Sequence, residues 1–167
     1  MVLYNTGIQR VAKDLLRQVV SRYLARETAT IQVLHSIKTL AVEMSYAMAE
    51  GDWKHLGELL DRHWQLNQVL DPHTTNAPIH AILERARPFI YGAKLAGAGG
   101  GGFLMLLART KEAAGALRAA LSHEAGAVVP YRIAEEGLRV QSYGRLKPMS
   151  HAETRGSPTM DIGKGEI

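Results

Sequence analysis

Between Lys94 and Ala108 the chain reads KLAGAGGGGFLMLLA, and five glycines, Gly97 and Gly99 to Gly102, stand directly before the apolar run Phe103-Leu104-Met105-Leu106-Leu107. Glycine loses more backbone freedom on folding than any other residue, so such a cluster is costly unless the backbone must go where a side chain cannot. The run that follows is short, apolar and ends at a helix-capping Thr110, which predicts a strand. Gly97, Gly99 and Gly102 formally satisfy G-x-G-x-x-G, but a dinucleotide-binding loop of that form must open a helix. A Walker A loop needs Lys followed by Ser or Thr after its last glycine, where this chain has Phe103. What is left is a glycine loop between two strands. It can lie flat against a ligand or a neighbouring loop, and its successive N–H groups can form a concave anion site. One or two glycines suffice for a hairpin turn, and five predict the closer approach.

The rest of the pattern supplies a scaffold for that loop. Val2 to Tyr4 predicts a strand, and Thr6 is placed to cap a helix from about Ile8 to Arg26 with Val11, Leu15, Val19 and Tyr23 inward. A second helix, about Thr28 to Ala49, carries an apolar seam at Leu34, Ile37, Ala41, Met44 and Met48. Gly51 ends it and Asp52 caps a third helix over Trp53 to Leu70, with Leu56, Leu59, Leu60, His63, Asn67 and Leu70 inward. After the turn cluster Asp71 to Pro78, Asn76 caps a short helix to about Arg87. Strands at Ala93 to Ala96 and Phe103 to Ala108 flank the glycine loop, and a helix from Lys111 to about Glu124 follows. "AVVPYRI" and "LRVQSY" read as two closing strands. The order predicts an α+β fold: one antiparallel sheet with helices packed on one side, ferredoxin-like once the inserted helices are set aside. Residues 1–143 are expected to form the domain. Residues 144–167, without apolar periodicity and rich in Gly, Pro, Ser and Thr, are expected to be a disordered tail.

Composition narrows the function. Lys and Arg exceed Asp and Glu by 20 to 16, scattered without a basic stripe, so no nucleic-acid partner is expected. There is no cysteine, which removes thiol chemistry, and no apolar run of the ~20 residues a membrane helix needs. The expected location is the cytoplasm. The seven histidines show no metal spacing, so no protein-held metal is expected, and no Gly-x-Ser-x-Gly turn marks a serine nucleophile.

Several polar residues fall where ligand contacts form. His63 and Asn67, at i and i+4 on an otherwise apolar face, point inward together and need partners, either a polyhydroxylated sugar or nearby backbone groups. Thr75 and Asn76 open a helix whose free N–H groups favour an oxygen-rich ligand, and a simple cap is the other reading. Lys94, on the strand entering the loop, has two readings: helping to hold phosphate or, the favoured one, pointing to solvent.

"GAKLAGAGGGGFLMLLA" closely resembles the third motif of the GHMP kinases, the superfamily of galactokinase, homoserine kinase and mevalonate kinase. "YNTGIQRVAKDLL", "GDWKHLGELLDRHWQLNQVLDPHTTN" and above all "LDPHTTN" resemble the L-fucokinases, then the heptose 7-phosphate kinases. The resemblance runs from about Val2 to Gln141 and implies the family's C-terminal domain. It places Gly97, Ala98, Gly99, Gly100, Gly101 and Gly102 at the junction of two domains, beside the transferring phosphoryl group, and the 75–76 turn near the acceptor. It also puts Thr6, Gly7 and Arg10 near the cleft, pairing of Arg10 with a carboxylate being the alternative. The second family loop, Gly-Leu-Gly-Ser-Ser, does not occur in these 167 residues, and the family's catalytic residue belongs to that N-terminal half. The implied function is therefore the C-terminal domain of an ATP- and Mg²⁺-dependent kinase of the L-fucose anomeric hydroxyl, expected to be inactive without its other half. The alternatives are a heptose 7-phosphate kinase domain, against which the His63 and Asn67 face offers no strong cation, and a non-catalytic binding module.

Overall fold

The computed structural model describes residues 1–8, 13–97, 99–134 and 136–138, and side chains of the first helix from Leu16 onward. Arg10, Ala98, the stretch 139–143 read as a closing strand and the expected tail 144–167 lie outside the described residues. Residues Met1–Arg132 form one compact unit. In the second unit, residues 133–134 and 136–138 are exposed and belong to no strand. No helix among the described residues is long and apolar enough to cross a membrane.

Among its described residues the unit holds a four-stranded antiparallel sheet and five α-helices. Its elements are β1 (Val2–Asn5), α1 (Lys13–Leu24), α2 (Thr28–Glu50), α3 (Trp53–Leu70), a 3₁₀ turn (Pro72–Thr74), α4 (Ala77–Ala86), β2 (Ile90–Leu95), β3 (Phe103–Ala108), α5 (Lys111–Leu121) and β4 (Ala127–Val129). The strand order is β2-β3-β1-β4, the ferredoxin-like arrangement, with every pair antiparallel. Pairing of Val2 with Leu106 and of Tyr4 with Leu104 puts alternate side chains on one face. That face, with Ala93 and Leu95, meets Ile79, Ile82 and Leu83 of α4 and Leu117 and Leu121 of α5 to form the main core.

The caps hold as the sequence predicts. Asp52, Asn76 and Thr110 accept from the backbone N–H three residues on, at 2.9, 3.1 and 3.1 Å, and Gly51 closes α2 in the left-handed region. Three expectations fail. Tyr23, read as inward on the first helix, is 51% exposed. The seam of α2 holds only in part: Met44 packs against the second core, but Leu40 and Ala47 are the buried positions, whereas Ala41 and Met48 are exposed. Leu40 and Ala47 pack with Leu56, Leu59 and Leu60 of α3 and Leu107 of β3 in a second core. Thr6 does not cap a helix beginning at Ile8, since Ile8 is not helical and its carbonyl accepts from Gly102 N–H at 2.9 Å.

α3 covers the outer edge of β2. A side-chain oxygen of Asp61 accepts from the Ala93 amide at 2.8 Å, and its other oxygen pairs with Arg87. Gly57 and Gly92 make the approach possible, because a Cβ on either would run into the other element's backbone. A strand edge that would otherwise present open N–H and C=O groups is thereby closed.

Candidate functional site

Three segments converge on the glycine loop. From the end of β1, the Thr6 amide and hydroxyl both donate to the Gly102 carbonyl, at 2.8 and 2.9 Å. From the turn before α4, the Thr74 carbonyl accepts from Gly100 N–H, and Asn76 Nδ2 donates to the Gly100 carbonyl at 3.0 Å. The Gly102 amide closes the ring on Ile8. Gly99, Gly100 and Gly101 are buried by these contacts.

The glycines divide into two kinds. A Cβ on Gly99 would stand 2.7 Å from Thr74 Cβ, and one on Gly101 would enter the Ile8 carbonyl. These two let the backbone pack against its own chain. Gly97 and Gly102 also take positive φ, 73° and 81°, but nothing lies within 4 Å where their Cβ atoms would be. They leave an open surface of side-chain-free backbone.

The candidate polar residues split between that scaffold and a neighbouring cluster. Thr6 is buried, and its hydroxyl also accepts from Ile8 N–H at 3.3 Å. Asn76 caps α4 with its oxygen and holds the loop with its nitrogen, while Thr75 Oγ1 lies 3.2 Å from His80 Nε2. Their polar atoms tie the site together. Sequence reasoning missed Thr74 and Asp71. Thr74 is buried with its hydroxyl on the Asp71 carbonyl at 2.9 Å, and the buried Asp71 carboxylate accepts from the His73 amide and approaches His73 Nδ1 at 2.8 Å. The Asp-Pro pair at 71–72 is the one sequence signal for that turn.

His63 and Asn67 behave differently. Both are half-buried, and neither bonds a backbone group among the described residues. Their mutual contact, Asn67 Nδ2 to His63 Nδ1, is 3.5 Å, too long to satisfy either. Lys94 does not point to open solvent as the sequence suggests. It is half-buried, and burial pulls its ammonium below the usual lysine range. Burial also lowers the His63 imidazole, and the Lys94 charge lowers it further. The Lys94 charge is therefore felt at His63.

The architecture has known counterparts. The family model of the GHMP kinases C terminal matches residues 44–127. The chain is 34% identical over 124 residues to the L-fucokinase/L-fucose-1-P guanylyltransferase of Bacteroides fragilis, covering 74% of this chain and 13% of that protein. It is 27% identical over 139 residues to the D-glycero-alpha-D-manno-heptose 7-phosphate kinase of Campylobacter jejuni, covering 83% of this chain and 40% of that one. Among solved structures, L. major mevalonate kinase in complex with R-mevalonate shares the fold with a TM-score of 0.64 at 22% identity, over 72% of this chain and 36% of that chain. The chain thus spans well under half the length of each of these relatives.

Proposed function

Because this chain belongs to the GHMP kinases, as a C-terminal domain of that family, we propose that it forms the C-terminal half of a sugar kinase acting on L-fucose. In that reaction the sugar's anomeric oxygen bonds to the γ-phosphorus of ATP and its hydroxyl proton is released to water, the bond from that phosphorus to the β-γ bridging oxygen breaks, and ADP leaves with fucose 1-phosphate. Phosphoryl transfer needs positioning and charge stabilisation more than covalent help from the protein. The observation that carries the reading is the side-chain-free surface at Gly97 and Gly102 on a loop held by hydrogen bonds at Gly100 and Gly102 and by close packing at Gly99 and Gly101. Such a wall fits the terminal phosphate of ATP, because phosphate oxygens can approach the main chain without meeting a Cβ. His63 and Asn67 are the side chains proposed to meet the sugar hydroxyls. Among the described residues no group of three His, Asp or Glu side chains could hold a metal, so the Mg²⁺ ligands are assigned to the nucleotide and the other kinase half.

The test supplies a GHMP N-terminal half with its Gly-Leu-Gly-Ser-Ser loop in trans and follows fucose 1-phosphate. The mixture is expected to turn over and this chain alone is not. Turnover by the chain alone, or a mixture no better than the added half, would overturn the proposal. A second reading, a kinase for a heptose 7-phosphate, is favoured by one observation, the half-buried Lys94 beside His63. The same mixture offered both acceptors decides between them.

A further inference from the structure

The edge where α3 covers β2 carries more positive charge than the fold consumes. The Asp61–Ala93 bond at 2.8 Å fixes the register between helix and strand; Lys94 is the next strand residue, on the other sheet face from Ala93, and its charge acts on the half-buried His63 of the helix. Lys94 pairs across the ladder with Met105, which in turn faces Leu3, so it rises from an apolar strip on the sheet face opposite α4 and α5. No hydrogen bond or ion pair holds its ammonium among the described residues. The carboxylate on that part of the helix, Asp61, is committed to Ala93 and Arg87. One turn beyond His63, Asn67 offers an amide whose one partner among the described residues is the long contact to the imidazole. A partly desolvated cation without a counter-charge costs stability. The fold keeps the arrangement three residues before the open backbone of Gly97.

We infer that Lys94, His63 and Asn67 form a subsite for a phosphate monoester, with Lys94 supplying the charge and His63 and Asn67 donating hydrogen bonds to the phosphate oxygens. The inference deepens the kinase reading but is tested on this chain alone, so failure of the reconstituted reaction and failure of the subsite are separate results. Two sources share the chemistry: the phosphate of a sugar phosphate, as substrate or product, and the terminal phosphate of the nucleotide.

The experiment follows the His63 ring and Asn67 side-chain amide signals by NMR as the 167-residue chain is titrated with inorganic phosphate. Parallel arms use fucose 1-phosphate, ATP and, as the uncharged control, L-fucose. Phosphate is expected to shift both sets of signals and to raise the His63 pKa, since a bound dianion reverses the repulsion from Lys94. Lys94→Met is expected to weaken phosphate binding about tenfold or more, and Lys94→Arg to retain most of it. Stronger binding of fucose 1-phosphate than of ATP assigns the subsite to the sugar phosphate, and the reverse order assigns it to the nucleotide. The inference is overturned if neither set of signals moves with any phosphate, if L-fucose moves them as much, or if a folded Lys94→Met variant binds phosphate as tightly as the parent.

Discussion

The glycine loop and the α3–β2 edge sit side by side in the chain's topology and treat their polar groups in opposite ways. At the loop, polar groups are turned inward and paired: Gly100 on Thr74 and Asn76, Gly102 on Thr6 and Ile8. At the edge, Lys94, His63 and Asn67 are half-buried and poorly satisfied. The first region reads as scaffold held by its own hydrogen bonds, with a ligand meeting only its outer glycines. The second reads as a place that a ligand completes. Polar richness alone therefore does not mark a binding surface; the distinguishing property is whether the fold itself supplies the partners.

Substitutions in the loop should break this contrast most visibly. Gly101→Val drives a branched side chain into the Ile8 carbonyl, and a loss on the order of 3–5 kcal/mol or outright failure to fold is expected from thermal or urea denaturation. Gly97→Ala meets open space and pays only for its positive φ, about 1 kcal/mol. Equal losses at the two positions would erase the distinction between inner and outer glycines. Asn76→Ala removes a helix cap and a tie to Gly100 together, so a loss of about 1–2 kcal/mol in urea denaturation is expected.

The edge should respond with the opposite sign. Lys94→Met removes a partly desolvated ammonium from an apolar strip and is expected to stabilise the chain by roughly 0.5–1 kcal/mol in the same assay. Destabilisation would mean that the lysine has a structural partner. The smallest effect concerns pH. His63 has a folded pKa below its unfolded value near 6.5, so the unfolded chain takes up its proton first as pH falls. This contribution to stability is full above about pH 6.5 and declines as pH drops from there toward the folded pKa. His63→Gln should flatten that part of the urea-midpoint profile, and an unchanged slope would show that the imidazole is not the group responsible.

The legible parts of this fold were those with local causes. Asp52, Asn76 and Thr110 announced their helices through capping chemistry, and Phe103–Ala108 announced a strand through a short apolar run between glycine and a cap. The α2 seam was misplaced at Ala41 and Met48 because that helix carries apolar residues on several sides, and Leu40 and Ala47, one position back, compete for the same arc. Trp64 was missed beside His63 for a related reason: the inner arc of α3 is wide enough to bury Leu60 and Trp64 together. At Thr6 the signal was ambiguous, because a hydroxyl that can cap a helix can equally accept from the amide two residues on. Lys94 illustrates the remaining limit. Alternation along β2 places it away from the main core, but the presence of α3 beside it is a tertiary fact with no local signature.

The central claim is that the glycine loop is bolted in place by the chain itself before any ligand arrives. Amide hydrogen exchange on the ligand-free chain tests it directly. The Gly100 and Gly102 amides, donated to Thr74 and Ile8, are predicted to be protected to within about tenfold of the β3 amides. The exposed Gly97 amide should exchange much faster. Exchange at Gly100 and Gly102 as fast as at Gly97 would contradict the account.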